Sequence, residues 1–326
     1  MILFRAINIF ILLSALNAKG QDSYYEPPMP VFKEKKSELI EIIPYQDSIS
    51  KYFVYAHQLY DERWDTLAQP NFWRKIMHLS PDSCVINVAA TRKILAVDSF
   101  ITWQKKTEAQ KTVYKDSLRE LYCLDLNEKL FVTFGKNHFY QFEHVFPSVS
   151  RGVEVFNELG VDPFYAQAIL LIESPNKLQF SKNGAYGSFQ LMKSVAKTHG
   201  LRVDKYIDER EDFDKSAHAA ASLLSKTCIP EAKRILRKYD ISFDETDMWF
   251  RLFVMHIYHA GAGNVNGVVG QIQPTVGGMS LIQAMWQTEW GGFKNSSQNY
   301  SQLALASILT LNDLIFHKCD YMFECH

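Results

Sequence analysis

The chain has little net charge, few long apolar runs and none of the short signatures of cofactor chemistry. Against 36 Asp and Glu stand 35 Lys and Arg, a net charge of -1, which leaves no basic field on which nucleic-acid binding could rest. It contains no G-x-S-x-G elbow, no dinucleotide-binding glycine fingerprint and no H-E-x-x-H pair. No cofactor or metal is therefore expected. His256 and His259 are three residues apart on an expected helix, but no ligand cluster completes a site around them. The first apolar run, Ile7–Leu16, is shorter than the roughly twenty residues that span a bilayer. No internal repeat or low-complexity tract occurs. Cysteines are few, at 5, and their odd number leaves one unpaired in a monomer. Cys84, Cys123 and Cys228 are scattered; Cys319 and Cys325 could pair with each other, or join His317 and His326 around zinc.

What is present begins with size. A chain of 326 residues that is 47% hydrophobic exceeds an average domain and can bury a sizeable core. Its 16 Tyr, 22 Phe and 6 Trp suit a sugar-binding groove, with core packing an equal account of them. Arg5, the apolar run and Ala18-Lys19-Gly20 read as an export signal over residues 1–20, which implies an exported, periplasmic protein. Pro27, Pro28 and Pro30 mark residues 21–38 as an extended linker. Residues 39–145 form a smaller, mostly helical region: a tryptophan-rich stretch from Tyr52 to Leu79, a helix-like run from Asn87 to Leu124 broken around Val97–Ser99, and a short strand over Lys129–Phe134. It shows no active-site pattern, so packing against a catalytic unit or docking a cell-wall assembly partner are its expected roles.

A helical unit spans residues 146–326. Ser148 or Ser150 can cap a helix ending at Leu159, with Gly160 as its left-handed stop. Asp162 caps the next, with Pro163 at the first position, where a missing amide donor costs nothing. From Phe164 to Ile172 nearly every residue is apolar, so this helix is buried on most faces. It closes on Glu173 and is ended by Pro175. The negative potential of a helix C-terminus and burial among apolar side chains both disfavour the carboxylate and raise its pKa, as a general acid requires. Further helices are expected over Asp214–Lys226, Pro230–Tyr239, Met248–Tyr258, Ser280–Trp286 and Ser297–Phe316. The fold class is mainly α. Tyr186, Trp286 and Trp290 are candidate groove aromatics.

Four motifs follow in order. Glu173-Ser174 is followed by Gly184, Gly187 and Gln190 in a G-x-x-G-x-x-Q pattern with Met192 behind it. Tyr258-His259-Ala260-Gly261 and the late Tyr300 complete the series. Together they resemble the lytic transglycosylase domain of the goose-type lysozyme superfamily over roughly residues 146–316, and within it the membrane-bound murein transglycosylase D group. The resemblance implies a lysozyme-like α-rich catalytic domain that cleaves peptidoglycan between N-acetylmuramic acid and N-acetylglucosamine, leaving 1,6-anhydromuramoyl ends. Glu173 is the implied catalytic acid and base, with Ser174, Ser181, Gln190, Met192, Tyr258 and Tyr300 as substrate contacts and peptidoglycan strands as the partner. His259 stands where that family has asparagine, Lys193 where it has proline, and the loop from Pro175 to Asn183 is shorter. A hydrolytic muramidase on the same fold would instead need a second carboxylate, for which Glu289, Asp204 and Asp208 are available. A non-catalytic peptidoglycan-binding scaffold is the alternative from another class.

Overall fold

The computed structural model describes residues 38–42, 50–173 and 184–323, with side chains described to residue 316. The signal segment, nearly all of the linker, Ser174, Ser181 and the His317, Cys319, Cys325 and His326 side chains lie outside the described residues. Strand β1 (Leu39–Ile42) pairs antiparallel with β2 (Lys51–Val54), Leu39 opposite Val54. The Val54 backbone is completed by one buried amide: its N–H donates to Gln167 Oε1 at 2.9 Å and its carbonyl accepts from Gln167 Nε2 at 2.8 Å. Buried backbone groups must find partners, and here a side chain supplies them.

Helices α1 (Gln58–Asp61) and α2 (Ala68–His78) follow. An antiparallel sheet of order β4-β3-β5 is then built from β3 (Ser83–Val88), β4 (Ile94–Ser99) and β5 (Leu130–Phe134). Between β4 and β5 lie α3 (Phe100–Lys105) and α4 (Glu108–Leu121), the latter opened by a Thr107–Gln110 capping box. The expected strand near Phe134 is present, whereas the helix-like reading of the residues after Asn87 is corrected as far as Ser99. Val85 pairs with Val97 on one side and Thr133 on the other. Cys84, Ile86 and Val88 enter a small core with Leu95, Trp103, Leu118 and Leu130, while Val85 enters the main one. Burial on both faces of β3 makes a strand out of a segment whose composition does not alternate cleanly.

Helix α5 (Phe142–Glu158) starts earlier than its serines suggested. Ser150 is no cap: it is buried, and its Oγ accepts the Tyr52 N–H at 2.9 Å. Helix α6 (Pro163–Glu173) opens as expected, the Phe164 N–H reaching Asp162 Oδ1 at 3.0 Å, and all nine side chains from Phe164 to Ile172 are buried. Then come α7 (Lys193–Thr198) and α8 (Phe213–Leu223). Asp212 caps α8, its side chain accepting the Lys215 N–H, and Asp214 in the first turn pairs with Arg151 at 3.0 Å. A π turn at Leu224–Cys228 leads into α9 (Ile229–Lys238). Helices α10 (Met248–Ala260), α11 (Ala262–Ile272), α12 (Met279–Met285) and α13 (Asn295–Phe323) complete the chain.

The architecture is mainly α with small sheets. Helix α6 packs against α5, α10 and α13, and the main core runs from Phe53 to Ile315 within one compact unit beginning at Glu38. Trp73 on α2 donates from Nε1 to Gln302 on α13 at 3.0 Å, so the first region reaches the last helix. Among the described residues no helix is long and apolar enough to cross a membrane. Cys84, Cys123 and Cys228 are free thiols.

Candidate active site

Glu173 ends α6, a helix whose side chains from Phe164 to Ile172 are all buried. Burying a large apolar side chain stabilises by about 1.5–3 kcal/mol, and α6 buries Phe164, Tyr165, Ile169, Leu170, Leu171 and Ile172. That is ample to hold a carboxyl where water solvates it poorly. Burial raises the Glu173 pKa to about 7, partly offset by the Tyr300 hydroxyl. The residue as a whole keeps some accessible surface, although its carboxyl group is desolvated. A carboxyl that is protonated near neutrality has the pKa of a general acid.

Three tyrosines surround it. Tyr140, Tyr258 and Tyr300 are each raised above the ordinary phenol value by burial first, and then by the Glu173 charge. Tyr258 donates from its hydroxyl to the Phe189 carbonyl at 2.6 Å. The Tyr300 hydroxyl is buried and near enough to lower the carboxyl's pKa, but it falls short of full hydrogen-bond geometry. Bonds of this kind in an unliganded site are often long and tighten when substrate arrives. Among the described residues, no cation and no second carboxylate contributes to the Glu173 shift.

His259 lies on Tyr300, ring centroids 4.4 Å apart and planes inclined at 32°. Desolvation pushes it down to about 4, although its outer surface stays exposed. His256 is buried, shares a 2.8 Å hydrogen bond between Nε2 and Ser301 Oγ, and is pushed down to about 3 by burial and by His259. Both rings are therefore neutral at physiological pH. Among the described residues no group of three or more His, Cys, Asp or Glu is placed to hold a metal.

The glycine segment forms a turn clamped from outside. Gly187 has φ +84°, and a Cβ there would sit 1.9 Å from the Arg210 carbonyl oxygen, so both backbone and space demand glycine. Arg210 donates from Nη1 to the Gly184 and Leu191 carbonyls, each at 2.9 Å, and pairs with Asp208 at 2.7 Å. Gln190 has φ +47° and donates from Nε2 to the Gly187 carbonyl at 3.0 Å. Met192 is exposed. With Tyr258 bonded to Phe189, the turn is fixed to the end of α10.

The structure thus gathers Glu173, Tyr258 and Tyr300 around one carboxyl and uses Gln190 within its own turn. Sequence reasoning missed Tyr140, which lies in a different region from the motifs, and Arg210, which belongs to none of them. Of the groove aromatics, Trp286 is buried and donates to Ser301 at 2.7 Å, Tyr186 bonds Glu211 at 3.4 Å, and Trp290 is 46% exposed. The carboxylates suggested for hydrolysis are engaged elsewhere or exposed: Asp208 with Arg210, Asp204 with Arg202 at 2.7 Å, and Glu289 at the surface.

Comparison with known families gives one match: residues 155–273 fit the family described as the transglycosylase SLT domain. No curated protein matches the chain. The matched segment contains Glu173, the glycine turn and Tyr258, while Tyr140 and Tyr300 approach the acid from either side of it.

Proposed function

We propose, from the premise that this chain carries a transglycosylase SLT domain of the lytic transglycosylase, lysozyme-like superfamily, that it cleaves peptidoglycan by a non-hydrolytic route with Glu173 as its acid and base. That domain supports a peptidoglycan-acting function of the lytic transglycosylase type in general. The finer reading is a cut between N-acetylmuramic acid and N-acetylglucosamine. The observation that carries it is a carboxyl held near pKa 7 by burial, with no second carboxylate among the described residues acting on it. Two-carboxylate hydrolysis needs a partner to activate water or attack the sugar, and among the described residues this acid has none acting on it.

In the proposed reaction, protonated Glu173 donates to the glycosidic oxygen as the bond to the muramoyl C1 breaks. The acetamido group shares the positive charge at C1. Glu173, now a carboxylate, removes the proton from the muramoyl 6-hydroxyl, whose oxygen forms the new bond to C1. One proton enters and one leaves, so the acid is regenerated and a 1,6-anhydro ring results. Both reacting groups belong to one sugar, which favours the intramolecular step over attack by water. A protonated acid in the first step and its conjugate base in the second both want a pKa near the working pH.

Tyr300 is the proposed tuner of Glu173, Tyr258 the brace of the glycine turn, and Gln190, Met192, Ser174 and Ser181 the proposed substrate contacts. Because peptidoglycan lies outside the cytoplasmic membrane, export through residues 1–20 belongs to the same proposal. Mass spectrometry of the products from purified protein and intact sacculi tests it. Anhydromuramoyl ends that disappear with Glu173→Gln are expected; reducing muramoyl ends would instead establish hydrolysis, and binding without turnover a scaffold.

A further inference from the structure

The described side chains include three arginines less than a tenth exposed, and one of them has no counter-ion. Arg210 and Arg251 are paired with carboxylates. Arg92, 6% exposed, meets none among the described residues. It sits on the turn between β3 and β4 at φ +61°, an uncommon conformation for a residue with a side chain. Its guanidinium lies 5.4 Å from the ring centroid of Phe72, 5.6 Å from Trp73 and 5.3 Å from Phe131. Of its several donors, Nη2 bonds Asn299 Oδ1 at 2.7 Å. Lys136 approaches the same Trp73 ring at 6.0 Å, also without a carboxylate among the described residues, and Lys129 lies over Phe131 at 5.1 Å. Burial lowers the pKa of both Arg92 and Lys136. Rings soften the cost of desolvating a cation but do not neutralise it.

Both cations are linked to residues that neighbour the acid. Asn299, which holds Arg92, immediately precedes Tyr300, the residue that tunes Glu173. Tyr140, which feels the Glu173 charge, donates its backbone N–H to the Lys136 carbonyl at 3.1 Å. Two independent links, through α13 and through the segment after β5, thus join the cations to the residues around the carboxyl.

We propose that Arg92 and Lys136, with Lys129 at the rim, form an anion site that takes a carboxylate of the peptide stem on the muramoyl residue. The inference rests on the peptidoglycan reading above. Its chemistry selects the stem: once the lactyl group is amide-linked to peptide, the glycan backbone is neutral, and the negative charge of the substrate resides in the peptide. The site also gives residues 39–145 a part in recognition, since Arg92, Lys129 and Lys136 all come from that region.

Binding and turnover separate this inference from its premise. Full-length Glu173→Gln protein, which should not consume substrate, is titrated calorimetrically with a muramoyl tripeptide, with the same peptide fully amidated, and with inorganic phosphate. The free acid should bind about tenfold or more tightly than the amide, the range of charge-assisted bonds. Arg92→Gln and Lys136→Gln should each remove most of that difference. In the active protein, either substitution should lower the kcat/KM preference for peptide-bearing over amidase-stripped strands about tenfold. Equal affinity for acid and amide, an unchanged strand preference, or phosphate binding as tight as the peptide acid overturns the assignment. Should Arg92→Gln fail to fold, the acid–amide comparison and half-buried Lys136→Gln still decide it. If no strand is cleaved at all, the enzymatic reading falls while the calorimetry still judges the site.

Discussion

Asp162 precedes α6 and Glu173 closes it, so one helix of eleven residues carries a carboxyl at each end. At the N-terminus the helix dipole favours negative charge, and Asp162 accepts from Arg251 Nε at 2.8 Å. Arg251 in turn donates to Glu38 at 3.1 and 2.6 Å. Burial alone would lower the Arg251 pKa; the Asp162 and Glu38 carboxylates more than offset it. At the C-terminus the dipole opposes negative charge, no cation among the described residues acts on Glu173, and a tyrosine hydroxyl is the compensation. The same apolar helix therefore locks one charge in place and leaves the other end poised to exchange a proton near neutrality. The difference lies in what each end is given as a partner.

The sharpest way to break this comparison is Glu173→Gln, expected to lower turnover by about 10²–10⁴-fold in product assays while the circular dichroism spectrum is kept. Its stability should betray the strained carboxyl. Because the folded pKa is raised from 4.5 to about 7, the native protein holds a proton that the unfolded chain has lost between those values. Stability contributed by the neutral carboxyl is thus full below about pH 4.5 and is lost as pH rises through about 7. Urea titrations should show Glu173→Gln equal to the parent near pH 4 and more stable by an amount on the order of 3 kcal/mol at pH 8.

At the other end, Arg251→Met should destabilise by about 3–5 kcal/mol, because Glu38 and Asp162 lose their shared partner. It should leave the alkaline limb of the pH–rate profile unmoved, which separates a structural charge from a chemical one. Tyr300→Phe has a smaller effect of the opposite kind. Removing the hydroxyl that favours the carboxylate raises the Glu173 pKa further, so the alkaline limb should move to higher pH, with turnover reduced about tenfold. Smallest of all is His259→Phe, which keeps a ring on Tyr300 and should change turnover by less than about threefold. A larger loss would mean that an imidazole nitrogen, rather than the stacked ring, is what the site uses.

Much of α6 was legible in the sequence because its signals are local. Asp162 and Pro163 mark the start, a nearly unbroken apolar run announces burial on most faces, and Pro175 excludes continuation. The glycine turn was legible for the same reason: Gly187 must be glycine from its own backbone angle. The capping serine misled where a tertiary partner claimed it first, Ser150 being taken by the Tyr52 amide. The strands β3 and β4 were hidden because β3 is buried on both faces and loses the alternation that identifies a strand.

By itself, the sequence determined the helical class, the place of the acid at a helix end, and the sign of its pKa shift, since dipole and apolar neighbours are properties of contiguous residues. Tertiary structure alone decided which groups face that acid. Tyr140, Tyr258 and Tyr300 come from three distant segments, and the cations Arg92 and Lys136 come from the region that showed no motif at all. Electrostatic shifts and burial depend on distance through space and on exclusion of water, and neither quantity is written along a chain until its segments have packed.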